Sequence, residues 1–202
     1  MSDKPSLGSV YDLKPEETAA YYDDWAARYD TELAENSYVT PDRCAQALAA
    51  TDLPRDAAIL DFGCGTGLSG LALSRAGFSV IDGMDISAGM LAQARGKGVY
   101  RNLIQAPDDA PPPIPQGTYG AITAIGAISP GAAPATLLSD VVDALAPGGI
   151  LCLSFNEYAL RDSDYLAALE AERPRLETLS EETGNHVEGV GSTATVFAFR
   201  RL

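Results

Sequence analysis

The sequence predicts an α/β fold: a doubly wound, mostly parallel sheet of seven strands with N-terminal helices before it. Short apolar runs alternate with helix-like stretches along most of the chain, and this alternation produces a parallel sheet covered on both faces. One apolar run, residues 57–60, leads into Asp61, Gly63, Gly65 and Gly67. That order is typical of a buried strand, a tight turn and the first turn of a helix.

Local signals predict each element. Two helices precede the first strand, at 16–35 and 41–52, and Pro41 suits the first turn of the second with Thr40 as its cap. Pro147-Gly148-Gly149 ends a helix before an apolar strand, whereas the proline-rich segment 110–115 is expected to be an extended loop. The remaining helices are predicted near 68–76, 87–95, 134–145 and 162–172, and the strands near 57–62, 78–84, 99–104, 119–126, 149–155, 175–182 and 194–200.

Length and composition limit the classes of protein to consider. The 202 residues suffice for one domain with a sizeable core, which we place at 16–202 after a mobile N-terminal arm at 1–15. The apolar runs are too short to cross a membrane. Three cysteines without a metal-ligand or disulfide pattern favour a reducing cytoplasm and no metal. The formal net charge of −14 disfavours phosphate backbones and so predicts no nucleic-acid partner. The charge is compatible with a small-molecule substrate, which is the partner we expect, or with a basic protein.

The glycine-rich turn predicts a nucleotide-like ligand. Glycine permits positive φ and close backbone approach, and the following helix directs unpaired N–H groups at the ligand. Gly65-x-Gly67-x-x-Gly70 also satisfies the dinucleotide pattern, with Asp85 twenty residues after Gly65. A carboxylate at Asp85 can accept both hydrogens of a ribose diol. On this pattern alone NAD stays an alternative.

The wider pattern resembles a known superfamily. Asp61-x-Gly63-x-Gly65-x-Gly67 is similar to motif I of the class I S-adenosylmethionine (SAM)-dependent methyltransferases, which are Rossmann-like, and Asp85 resembles their ribose-binding acid. A finer resemblance, over roughly residues 17–200, is to the methyltransferase-like family named after the Williams–Beuren syndrome region. It lies in the helix around 21–30 and in the pair Asn156-Glu157. The resemblance implies SAM as cofactor, S-adenosylhomocysteine as product, and an antiparallel last strand.

The same resemblance implies a set of cofactor-binding residues. These are Tyr29, Asp61, Gly63, Cys64, Gly65, Gly67, Leu68, Asp85, Ile86, Met90, Gln105, Ala106 and Ile125. The chain departs from the family at Pro107, where an acid usually binds the adenine amino group, and at Gly120, where Asp is common. Gln105, Asp108 and Asp109 stay open as replacements for the first acid.

The expected reaction is in-line transfer of a methyl group to a nucleophile, for which positioning is the main requirement. Glu157 and His186 are the candidates for a catalytic base, while Tyr11, Asn156 and Tyr158 are the candidates to contact the substrate. A structural role is the alternative for His186, and turn capping is the alternative for Asn156 and Glu157. The alternatives for the whole protein are a catalytically silent SAM- or S-adenosylhomocysteine-binding regulator and an NAD-dependent oxidoreductase.

Overall fold

The computed structural model describes residues 5–6, 9–10, 13–107, 110 and 112–202, so that Tyr11, Asp108 and Asp109 lie outside the described residues. The helices are α1 (Thr18–Glu35), α2 (Thr40–Ala49), α3 (Leu68–Arg75), α4 (Ala88–Gly96), α5 (Leu137–Ala144) and α6 (Ser163–Glu172). The strands are β1 (Ala58–Phe62), β2 (Val80–Asp85), β3 (Asn102–Gln105), β4 (Ala121–Ala124), β5 (Ile150–Asn156), β6 (Leu176–Asn185) and β7 (Thr193–Arg201).

All seven strands form one sheet in the order β3-β2-β1-β4-β5-β7-β6. The first five strands pair in parallel, and β7 lies antiparallel between β5 and β6. The predicted fold class and the antiparallel last strand are therefore confirmed. The strand order reverses between β1 and β4, and in such sheets ligands bind beyond the carboxyl ends of the strands at that point.

Helices cover both faces of the sheet, as the alternation predicted. Successive residues of β1 point to opposite faces: Ile59 packs with α2 and α3 on one side, and Leu60 packs with α5 and α6 on the other. Strands buried on both faces are apolar at nearly every position, which explains why the central strands were visible as continuous apolar runs. This rigid centre fixes where the loops at the carboxyl edge lie.

Two local expectations are corrected. Thr40 is the first residue of α2 rather than its cap, because its hydroxyl is hydrogen-bonded to His186 Nδ1 at 2.8 Å. The strand predicted at 119–126 is shorter, since the chain turns at Gly126 with φ of 65°. In the described part of the N-terminal arm, Ser6 N–H donates to Tyr21 Oη of α1 at 2.8 Å, and the mobility of the arm stays a prediction. Within the described residues, no helix combines the length and the apolar character needed to cross a membrane.

Candidate cofactor-binding site

The turn after β1 has the left-handed backbone that its glycines predicted. Gly63, Gly65 and Gly67 have φ values of 67°, 53° and 91°, a region that is costly for other residues. A Cβ at Gly63 would lie 2.4 Å from the Cβ of Ala127, so this residue must be glycine for steric reasons as well. A Cβ at Gly65 would meet no atom within 4 Å. The loop thus presents bare backbone to open space at Gly65.

The buried side chain of Asp61 connects the glycine loop to neighbouring elements by hydrogen bonds. Its Oδ2 accepts hydrogen bonds from Ser69 Oγ at 2.5 Å and Tyr100 Oη at 2.7 Å, and its Oδ1 accepts from Thr123 Oγ1 at 2.8 Å. The side chain is fully buried, and burial raises its pKa above the ordinary value. Asp61 does not line the cavity described below, which corrects its predicted contact with the cofactor. It is a positioning residue that joins the glycine loop to α3 and β4.

Asp85 lies on the other side of the loop, at the end of β2. Its Oδ2 accepts from Gly65 N–H at 2.8 Å and its Oδ1 from Ser87 N–H at 2.9 Å. Burial raises its pKa to about 6 despite these two donors. Ser87, rather than Asp85, caps α4, because its Oγ accepts from Met90 N–H at 3.0 Å. Each carboxylate oxygen of Asp85 keeps lone-pair capacity for a further donor.

A cavity of about 480 Å³ opens in front of the loop and Asp85. Its formal charges, among the described lining residues, are the carboxylates of Asp85 and Asp140. Most of the predicted cofactor residues line it: Tyr29, Gly63, Cys64, Gly65, Leu68, Asp85, Ile86, Met90, Ala106 and Ile125. The cavity thus joins a carboxylate, exposed loop backbone and an apolar slot, as the resemblance implies.

Two further predicted cofactor residues do not line the cavity. Gly67 is the N-cap of α3, and a Cβ there would approach Tyr100 at 3.0 Å and Lys97 at 3.2 Å, on the side away from the cavity. Gln105 is exposed, and its Nε2 donates to the carbonyl oxygen of Ile86 at 3.2 Å. Gln105 thus contacts a residue of the cavity lining without lining the cavity itself.

Helix α1 forms one wall of the cavity through Thr18, Tyr22 and Tyr29. Asp23 Oδ1 fixes the helix at one point, accepting from Ser87 Oγ at 2.5 Å and Gly89 N–H at 2.8 Å. These contacts tie α1 to the start of α4, directly beside Asp85.

Asp30 fixes α1 at a second point, two turns further along the helix. Its Oδ1 accepts from Thr66 Oγ1 at 2.5 Å, and its Oδ2 pairs with Lys97 Nζ at 2.6 Å. Since Thr66 belongs to the glycine loop, α1 is joined to both segments that flank the cavity. The sequence analysis assigned no role to either aspartate.

The two predicted catalytic residues lie outside the cavity lining. His186 is buried, hydrogen-bonded to Thr40, and burial lowers its pKa to about 4, so that it is neutral near pH 7. Glu157 pairs with Arg161 at 3.0 Å, one helical turn later. Both side chains have structural partners that explain their positions, and neither reaches the cavity to act as a base.

The two described residues that were predicted to contact the substrate also lie outside the cavity lining. Asn156 Oδ1 accepts from the N–H groups of Tyr158 and Ala159, at 3.1 and 3.0 Å, which is the turn-capping alternative. Tyr158 is exposed and does not line the cavity. Tyr11 lies outside the described residues, so its predicted contact stays a prediction.

Other residues line the outer part of the cavity, and the sequence analysis missed them. Tyr38 packs edge-on against His186, with ring centroids 5.3 Å apart, and a Cβ at Gly126 would lie 2.8 Å from its hydroxyl. Thr136, Leu137 and Asp140 come from the start of α5. No motif marks any of them, because their approach to the cavity depends on how distant segments pack.

The residues of the cavity fit S-adenosylmethionine. Asp85 offers acceptors for a diol, Ile86, Met90, Ala106 and Ile125 form an apolar surface for a flat base, and Gly65 leaves room where a side chain would intrude. The described residues contain no group of three or more His, Cys, Asp or Glu side chains arranged to hold a metal. A diol acceptor beside apolar side chains suits a nucleoside-type organic cofactor.

Comparisons with known proteins agree with this geometry. Residues 59–149 match the family described as methyltransferase domain. Human methyltransferase-like protein 27 is 38% identical over 162 residues, which are 78% of this chain and 64% of that protein. A SAM-dependent methyltransferase structure from Leishmania major superposes with a TM-score of 0.69 at 16% identity, covering 96% of this chain and 87% of the other. The chain belongs to the class I SAM-dependent methyltransferase superfamily, whose cofactor is S-adenosylmethionine.

One relative overturns an expectation. The 18S rRNA (guanine(1575)-N(7))-methyltransferase of Saccharomyces cerevisiae is 32% identical over 118 residues, 57% of this chain and 43% of that protein. By its name that relative acts on RNA, so the inference of a small-molecule acceptor and no nucleic acid, drawn from the charge of −14, was wrong. Net charge describes a whole chain and not the surroundings of one cavity. The chain also spans less than two thirds of the length of either curated relative.

Proposed function

We propose that the protein transfers a methyl group from S-adenosylmethionine to a nucleophilic acceptor. The observation that carries the proposal is Asp85, whose carboxylate accepts a hydrogen bond from Gly65 N–H and lines a cavity with mainly apolar side chains around it. Membership of the superfamily supports it. The three free cysteines are buried, which suits folding in a reducing compartment, and we propose the cytoplasm.

In this proposal Asp85 binds the ribose hydroxyls, and Ile86, Met90 and Ile125 hold the adenine by apolar contact. When bound, the cofactor supplies a methyl group already activated by the positive charge of its sulfonium. The chain's task is then to bind, orient and exclude water. The α1 wall with Tyr22 and Tyr29 serves that task, because Asp23 and Asp30 hold the helix over the cavity. Positioning of this kind contributes about 7–11 kcal/mol to a transfer reaction.

Calorimetric titration with S-adenosylhomocysteine, SAM and NADH tests the cofactor. We expect the first two to bind, and Asp85→Asn to weaken both at least about tenfold, because it removes charge-assisted hydrogen bonds. Asp24→Asn is the matched control, since Asp24 is an exposed aspartate of α1, and it should change the affinity less than about twofold. Binding of NADH alone would instead favour an oxidoreductase.

A second assay tests the transfer itself. Cell extract separated into RNA, protein and small-molecule fractions is incubated with the protein and SAM labelled in its methyl group. Label should enter one fraction with the wild type and not with Asp85→Asn, and that fraction identifies the acceptor class. Binding without label in any fraction would contradict methyl transfer and favour the silent regulator.

A further inference from the structure

The acceptor for the adenine amino group is missing from its expected place. Pro107 stands where the resemblance places an acid, and a proline side chain accepts no hydrogen bond. Gln105 does not line the cavity, and its Nε2 donates to the Ile86 carbonyl oxygen. The apolar residues that form the slot for the base, such as Met90 and Ile125, supply no side-chain acceptor either.

Asp140 is a carboxylate in the same cavity. It lies in the first turn of α5, lines the cavity, and is half-buried. Within the described part of the chain its carboxylate has no hydrogen-bond or ion-pair partner. The other carboxylate of the cavity, Asp85, is already bound to the glycine loop. A hydrogen-bond donor stabilises a half-buried carboxylate more than an exposed one, because burial removes part of the hydration of the carboxylate.

Two segments distant in the sequence border the same cavity. In the sheet order the segment after β3 passes β2 and β1 to reach β4, and its described residues form no helix. Pro107, Ala110 and Pro112 of this segment line the cavity together with Leu137 and Asp140. The end of β3, where the family acid would stand, and the first turn of α5 therefore border one cavity.

We propose that the Asp140 carboxylate accepts a hydrogen bond from the exocyclic amino group of the cofactor's adenine, in place of the acid that Pro107 replaces. The inference rests on the proposed function, because it requires an adenosyl cofactor in this cavity. It makes Asp140 a specificity residue that distinguishes an amino group from a carbonyl at that position of the base. A carboxylate only accepts hydrogen bonds, so a carbonyl oxygen there is repelled.

Calorimetry with two ligands tests this assignment. In the deaminated inosine analogue of S-adenosylhomocysteine, a carbonyl replaces that amino group and the neighbouring N1 becomes an N–H donor. The wild type should prefer the adenine ligand by roughly tenfold to hundredfold. Asp140→Asn should reduce this preference to about threefold or less, because its amide can donate or accept. Asp85→Asn should weaken both ligands equally and keep the preference.

Asp108→Asn and Asp109→Asn are the matched comparisons, since both aspartates follow Pro107. They should keep the wild-type preference. The inference is overturned if Asp140→Asn keeps the preference, or if the wild type shows none. If neither ligand binds to the wild type, the proposed function is overturned and this inference with it. If Asp140→Asn melts far below the wild type, Asp140→Glu, which keeps the charge but moves it, should still lower the preference.

Discussion

Acidification should weaken cofactor binding through a single group, Asp85. Burial raises the pKa of this carboxyl to about 6 in the free protein. The ribose hydroxyls donate hydrogen bonds, so they favour the ionised carboxylate, and affinity is present above this pKa and lost below it. For one group of pKa 6, the protonated fraction reduces the apparent affinity for S-adenosylhomocysteine by about tenfold at pH 5 and hardly at all at pH 8.

Titration calorimetry at pH 5, 6, 7 and 8 and constant ionic strength measures this slope. Asp85→Asn lacks this ionisable group and should show a weak affinity that changes less than about twofold between pH 6 and pH 8. His186 does not interfere, because its pKa is lowered to about 4. An affinity unchanged down to pH 5 would refute the reasoning. A slope that persists in Asp85→Asn would assign the titration to another group, with Asp61 the first candidate since burial raises its pKa too.

Four further substitutions separate binding from stability. Gly63→Ala should lower the free energy of unfolding by several kcal/mol in urea titration, because of overpacking and positive φ. Gly65→Ala should lower it by about 1 kcal/mol but weaken the binding of S-adenosylhomocysteine at least about tenfold. Equal losses of stability in the two variants would contradict the geometry. Tyr100→Phe removes a donor from buried Asp61 and should cost about 1–3 kcal/mol of stability, so that an unchanged urea midpoint would contradict the network. Asn156→Ala should cost about 1 kcal/mol and leave cofactor affinity unchanged, and a changed affinity would restore Asn156 to the site.

The sequence predicted those parts of the fold and site that local signals determine. The glycine turn and Asp85 were identified because positive φ and a strand end leave marks in neighbouring residues. Thr40 was assigned as a helix cap because the sequence does not show that His186, distant along the chain, takes its hydroxyl. His186 and Asn156 were assigned to chemistry because residue type alone does not distinguish a buried or capping side chain from a catalytic one.

Helix α1 shows which features the sequence reveals and which require the structure. Asp23 and Asp30 are seven residues apart and therefore share one face of the helix. This spacing is visible in the sequence. Their partners Ser87, Thr66 and Lys97 are not visible there, because they belong to loops and helices that the sheet brings together. The spacing of the two aspartates shows that they share a helix face, while the sheet topology determines what they bind. The same holds for Asp140, whose helix was predicted but whose place beside the β3–β4 segment required the structure.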